Sequence, residues 1–131
     1  MSYSMFLGCT LPARGRNYEM SARLVGEKLG IEFADITDFT CCGYPLKSTD
    51  RELSLMMSAA NLALAEKAGH SICTLCSACT AMLAETDFMI HSDPALKKRV
   101  NKHLAPSGLS INKPVQVRHF SRILYEDIGL D

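Results

Sequence analysis

Apolar and polar positions along this chain fall into a recurring block: a short apolar run, a turn-rich stretch, then a longer segment with helical periodicity. Residues 4–8 form the first apolar run and lead into residues 10–16, where Pro12 and Gly15 mark a loop, so a strand feeding a loop is expected. Asn17 is placed to cap a helix whose apolar positions Met20, Leu24, Val25 and Leu29 would pack on a sheet, with Gly30 ending it. A second strand over 31–36 leads into a loop holding Cys41, Cys42, Gly43 and Pro45. Thr49 and Glu52 make a capping box, after which Leu53, Met56, Met57, Ala60 and Leu64 predict one buried face of a long helix that Gly69 terminates. A third run covers 71–75, and residues 76–85 read as a loop turning into a helix. Asp93 and Pro94 suit the cap and first position of a helix through about Leu104; residues 115–117 supply a fourth strand and 120–128 a closing helix.

Strands alternating with helices at this spacing predict an α/β fold, because parallel strands need helical crossovers to join them. The expected architecture is a Rossmann-like three-layer sandwich around a mostly parallel sheet of about four strands. A length of 131 residues suits one domain spanning 1–131. Composition changes the picture only by exclusion. Apolar residues make up 47% of the chain, and 14 Lys and Arg balance 14 Asp and Glu, as in an ordinary globular protein. Nucleic acid is not an expected partner, since the one basic cluster, Lys97, Lys98 and Arg99, reads as a solvated helix face. The apolar patch Met5 to Leu7 has no basic region before it and reads as a strand, not a secretory signal. No apolar run reaches membrane-spanning length. Six cysteines without an export signal imply a reducing, cytoplasmic setting, where thiols serve as metal ligands or redox groups more often than as structural disulfides.

The expected topology gathers those thiols. Cys9 follows the first strand, Cys41 and Cys42 lie after the second, and Cys76 and Cys79 follow the third. Carboxyl ends of parallel strands share one edge, so the three loops meet there. Arg118 and His119, just past the fourth strand, can reach the same edge or be ordinary surface residues. Converging thiolates repel unless protons or soft metal cations neutralise them. A structural zinc site wants paired C-x-x-C knuckles, of which only Cys76 to Cys79 has the form. Neighbours such as Cys41 and Cys42 project to opposite sides of an extended segment, which suits a multi-iron cluster better than one ion. A ferredoxin pattern fails because position 83 is Leu, and a thioredoxin-like dithiol leaves Cys9, Cys41 and Cys42 unexplained. Cys73 falls within a strand and reads as core. Lys47, Arg14 and Arg16 read as solvated loop charges that can also attract an anion; Tyr44 and Pro45 shape the loop; Met56 and Met57 fill core; His70, His91 and His103 carry no expected role.

Cys9, then 31 residues, then Cys41-Cys42-Gly43, then 33 residues, then Cys76-x-x-Cys79 is similar to the signature of the cysteine-rich CCG domain, best known from the catalytic subunit of heterodisulfide reductase. Phe6-Leu7-Gly8-Cys9-Thr10, Thr74-Leu75-Cys76-Ser77-Ala78-Cys79 and Tyr125-Glu126-Asp127-Ile128-Gly129 resemble the N-terminal half of that protein, so the likeness runs through nearly the whole chain. The resemblance implies that Cys9, Cys41, Cys42, Cys76 and Cys79 ligate a non-cubane 4Fe-4S cluster and take part in catalysis. It also implies a second CCG domain as partner, a disulfide substrate bound between two clusters, and electrons from a ferredoxin-like iron-sulfur subunit with conventional 4Fe-4S clusters. The chain then supplies half of a disulfide-reducing site and ends near the usual link to the second domain. Two alternatives stay open: an electron-transfer domain of a related lactate, glycolate or succinate oxidoreductase, and a zinc-binding structural or interaction module.

Overall fold

The computed structural model describes residues 2–8 and 11–129. Its centre is a sheet of four strands, β1 (Ser2–Phe6), β2 (Glu32–Ala34), β3 (Ser71–Thr74) and β4 (Val117–His119), in the order β2-β1-β3-β4 and parallel at every pairing. Tyr3 to Phe6 are all buried, as expected of a central parallel strand covered on both faces. Successive side chains alternate between two cores: Phe6 and Ile72 face one, Tyr3, Met5 and Cys73 the other. Helices α3 (Arg51–Ala68), α4 (Ser77–Ser92) and α5 (Pro94–Leu104) cover the Phe6 side. The Tyr3 side is covered by α1 (Leu11–Arg14), α2 (Arg16–Lys28) and α6 (Phe120–Ile123), the last continuing as wider π-type turns over Leu124–Ile128. The expected three-layer α/β sandwich is the observed one.

Two helices use faces other than the expected ones. In α2, Met20, Leu24, Val25 and Leu29 are 40–61% exposed, and the buried positions are Ala22 and Gly26. A Cβ added to Gly26 would stand 2.4 Å from the Phe33 ring, so the helix approaches the short edge strand β2 through its smallest residues. Periodicity of large apolar side chains does not register such a stripe. Gly15, not Asn17, occupies the cap position, with no side-chain hydrogen bond. In α3 the cap is Asp50, whose carboxylate accepts from the Leu53 N–H at 3.0 Å; Thr49 instead donates to the Leu46 carbonyl at 3.3 Å. The expected face is buried only in part: Met56 is covered, Leu53 is exposed, and Ser54, Ser58, Ala59, Asn61 and Leu62 fill the interior.

The cap on α5 is as expected, with the Asp93 carboxylate accepting from Ala95 and Leu96 at 3.0 and 3.3 Å, and the helix ends at Leu104. β4 begins two residues later than expected, which moves Arg118 and His119 inside the strand. Arg118 turns to the Tyr3 side, 8% exposed, and donates to Asp127 Oδ1 and Oδ2 at 2.9 and 2.8 Å, to Glu126 at 3.0 Å and to the Tyr3 hydroxyl. The Tyr3 hydroxyl donates in turn to Asp127. This network ties the end of the closing segment to β1. His119 caps α6, its Nδ1 accepting from the Ser121 N–H at 3.1 Å.

Candidate cysteine site

β1, β2 and β3 run parallel, so the loops after them open on one edge. The β2 loop carries Cys41 and Cys42; Cys76 ends the β3 segment as the cap residue of α4, and Cys79 lies in the first turn of that helix. These segments meet. Cys42 and Cys79 are 2% and 6% exposed and hydrogen-bonded through their sulfurs, with Cys41 bonded to Cys42 and Cys76 to Cys79. Cys42, Cys76 and Cys79 line a cavity of ≈ 90 Å³ walled by Leu7, Tyr44, Pro45 and Ala78. Cys9, the fifth expected member, lies outside the described residues. Its neighbour Gly8 is described: with φ +69° and a would-be Cβ 2.9 Å from Cys79 Sγ, only glycine lets the chain leaving β1 pass over that sulfur.

Gly43 has a comparable reason. At φ +95° it reverses the chain, and an added Cβ would lie 2.6 Å from the Ser54 carbonyl oxygen. The loop therefore rests directly on α3, and three α3 side chains hold its backbone. Ser54 donates to the Gly43 carbonyl at 2.8 Å and Ser58 to that of Cys42. Asn61 donates to the carbonyls of Thr40 and Cys41 at 3.2 and 3.1 Å, and its Oδ1 accepts from the Thr40 N–H at 2.9 Å. Sequence reasoning missed these residues; their signal was a set of polar side chains at spacings of four and three within an otherwise apolar helix. On the other loop, Thr80 donates to the Cys76 carbonyl at 3.0 Å and shares a hydroxyl bond with buried Thr74.

The thiols do not share one proton affinity. The Cys79 S–H donating to Cys42 lowers the Cys42 pKa to about 6 against the opposing effect of burial, helped by the Tyr44 N–H. The same bond, with burial and the neighbouring sulfurs, raises that of Cys79. The bond favours the thiolate at Cys42 and the thiol at Cys79. Such a set of soft sulfur donors, one shifted toward its thiolate, has the chemistry of a soft-metal or iron-sulfur ligand group. Among the described residues no three Cys, His, Asp or Glu side chains are grouped to hold a single metal ion as they stand.

Other expectations are placed as follows. Cys73 lies on the Tyr3 side of the sheet, fully buried, its thiol pushed up to about 12 by burial. Lys47 pairs with Glu85 at 3.2 Å, and Arg14 and Arg16 are exposed. Tyr44 and Pro45 form a tight turn with Leu46 and wall the cavity. Met56 is core and Met57 half-buried. His70 meets Ser2, His91 meets Asp87, and His103 is exposed.

A family model described as CCG, cysteine-rich domain, matches residues 3–84. The chain is 31% identical over 128 residues to a subunit of the ferredoxin/F(420)H(2)-dependent CoB-CoM heterodisulfide reductase of Methanosarcina acetivorans, covering 96% of this chain and 43% of that protein. It is 31% identical over 135 residues to a protein of Archaeoglobus profundus described as like that same heterodisulfide reductase subunit, covering 100% and 44%. It is 28% identical over 127 residues to the 8-methylmenaquinol:fumarate reductase membrane anchor subunit of Wolinella succinogenes, covering 96% and 44%. The chain thus spans well under half the length of these relatives. A crystal structure of a hypothetical protein from Helicobacter pylori superposes with a TM-score of 0.86 at 22% identity over 99% of this chain and 26% of that one, a likeness of fold. No helix among the described residues is long and apolar enough to cross a membrane.

Proposed function

This chain belongs to the CCG cysteine-rich domain family, and on that premise we propose that it binds an iron-sulfur cluster and contributes half of a disulfide-reducing site in a protein like the catalytic subunit of heterodisulfide reductase. The observation that carries this reading is the meeting of the Cys41–Cys42 loop with Cys76 and Cys79 around one small cavity. In this proposal Cys41, Cys42, Cys76 and Cys79, with Cys9 from the segment after Gly8, hold a 4Fe-4S cluster of non-cubane type. The bound cluster would supply one-electron redox chemistry at the sulfur atoms of a disulfide.

The chain's own residues prepare that chemistry. The Cys79 S–H donated to Cys42 favours the Cys42 thiolate, so that ligand gives up its proton more readily. Leu7, Tyr44 and Pro45 wall the cavity beside the sulfurs. Gly8 keeps the approach to Cys79 free of a side chain. The partners proposed are a second CCG domain completing the site, for which the greater length of the relatives leaves room, and a ferredoxin-like iron-sulfur protein as electron donor.

Oxygen-free purification followed by iron, sulfide and zinc analysis tests the reading. A brown protein with iron and sulfide in equal amounts, bleached by Cys42→Ser or Cys79→Ser, is the expected result. A colourless protein holding zinc without sulfide overturns it in favour of a structural module.

A further inference from the structure

Ser54, Ser58 and Asn61 are each at most 1% exposed. Burying hydroxyls and a carboxamide is unfavourable unless they are bonded, and alanines would satisfy packing alone at such positions. Among the described residues, and apart from one Asn61 bond to the Met57 carbonyl, the hydrogen bonds of these side chains go to one four-residue segment. Four consecutive carbonyls, those of Thr40, Cys41, Cys42 and Gly43, are taken by α3, and the peptide planes between them are fixed. With the carbonyls turned toward α3, the Gly43 N–H points to Cys41 Sγ at 3.5 Å and the Tyr44 N–H to Cys42 Sγ.

We infer that Ser54, Ser58 and Asn61 are positioning residues that fix the directions of the Cys41 and Cys42 sulfurs and aim two backbone N–H groups at them. Asn61 is the principal member, since it holds two carbonyls and one N–H. The role deepens the cluster reading, and its electronic consequence rests on that reading: hydrogen bonds to sulfur stabilise the more negative, reduced state of an iron-sulfur group and so set its potential. The mechanical consequence, a fixed Cys41–Cys42 pair, does not depend on any bound group.

Asn61→Asp tests this with little change of shape, because it replaces the donating amide with an oxygen that repels the Thr40 and Cys41 carbonyls. Asn101→Asp is the matched control: Asn101 clamps the Ile111 backbone at 3.0 and 2.7 Å in the same manner, far along the chain from the thiols. In metal-free reduced protein, iodoacetamide labelling followed by mass spectrometry reads the ratio of the Cys41 and Cys42 rates, which the fixed directions and unequal burial of the two sulfurs hold at one value. Asn61→Asp should shift that ratio several-fold and Asn101→Asp should leave it intact. In protein reconstituted with iron and sulfide, Asn61→Asp should lower the midpoint potential and alter the paramagnetic spectrum at unchanged iron content. Ser58→Ala, which removes one bond and no volume of note, should shift both readouts in the same direction by less, and serves if Asn61→Asp fails to fold. A labelling ratio that stays at the wild-type value in Asn61→Asp, or in Ser58→Ala if only that variant folds, would overturn the inference, whatever happens to Tm. Failure of the wild type to take up iron sinks the cluster reading alone, because the labelling arm still decides the positioning role.

Discussion

Gly43 shows how much a single residue can fix. Its φ of +95° and the 2.6 Å approach of its would-be Cβ to the Ser54 carbonyl leave room for no side chain. Gly43→Ala is expected to destabilise the protein by ~2 kcal/mol in urea denaturation, from backbone strain and displacement of the loop. It should also reduce iron uptake. The cysteine pair and this glycine were legible in the sequence because they are adjacent and chemically distinctive. Ser54, Ser58 and Asn61 were not, since a polar residue within a helix is read as solvent-facing unless its partner is known, and the partner here is backbone some 11 to 21 residues away. Cys73 makes the opposite case, because its place in an apolar run was enough to set it apart from the other thiols. Cys73→Ala is expected to leave metal content unchanged while costing ~1 kcal/mol of stability from the small cavity created. Loss of iron in that variant would contradict its placement on the far face of the sheet.

At the scale of elements, the order of strands and helices followed from the alternation of apolar runs with helical periods, whereas the faces of α2 and α3 did not. Both helices meet their neighbours through small or polar side chains, Ala22 and Gly26 in one and Ser54, Ser58 and Asn61 in the other, so counting large apolar residues pointed elsewhere. The closing segment gives an element-scale prediction. Arg118, then Tyr3, hold the Asp127 carboxyl below its ordinary range by hydrogen bonding. A depressed carboxyl contributes stability that is present above its unfolded pKa, about 4, and is lost as pH falls through the lower folded value. Stability should therefore decline on acidification below about pH 4. Arg118→Leu should shrink that acid-dependent part and lower Tm by about 5 °C at neutral pH. An Arg118→Leu acid profile parallel to that of the wild type would show that the pairing does not hold the segment.

For the whole molecule, two apolar cores flank the sheet, and the site thiols Cys42 and Cys79 sit at the margin of the one on the Phe6 side, whose bulk is aliphatic side chains such as Leu62, Ile72, Leu83, Ile90 and Val100. Chelation of metal from the native protein is expected to leave far-UV dichroism intact and to lower Tm, as loss of a group bound only by the folded state requires. Wholesale loss of helix would mean that the cores cannot stand without it. The two sides are unequally loaded. Three long helices press on the Phe6 side, while the Tyr3 side has α2 resting on an edge strand of three residues by way of an alanine and a glycine. The molecule is ballasted on the flank that carries the sulfur loops. When it begins to open, the lighter flank should lift first: amides of α2 and β2 should exchange with solvent well before those of β3 and α4. The Cys76–Cys79 part of the sulfur edge, carried by β3 and α4, would then be among the last places to feel heat or denaturant.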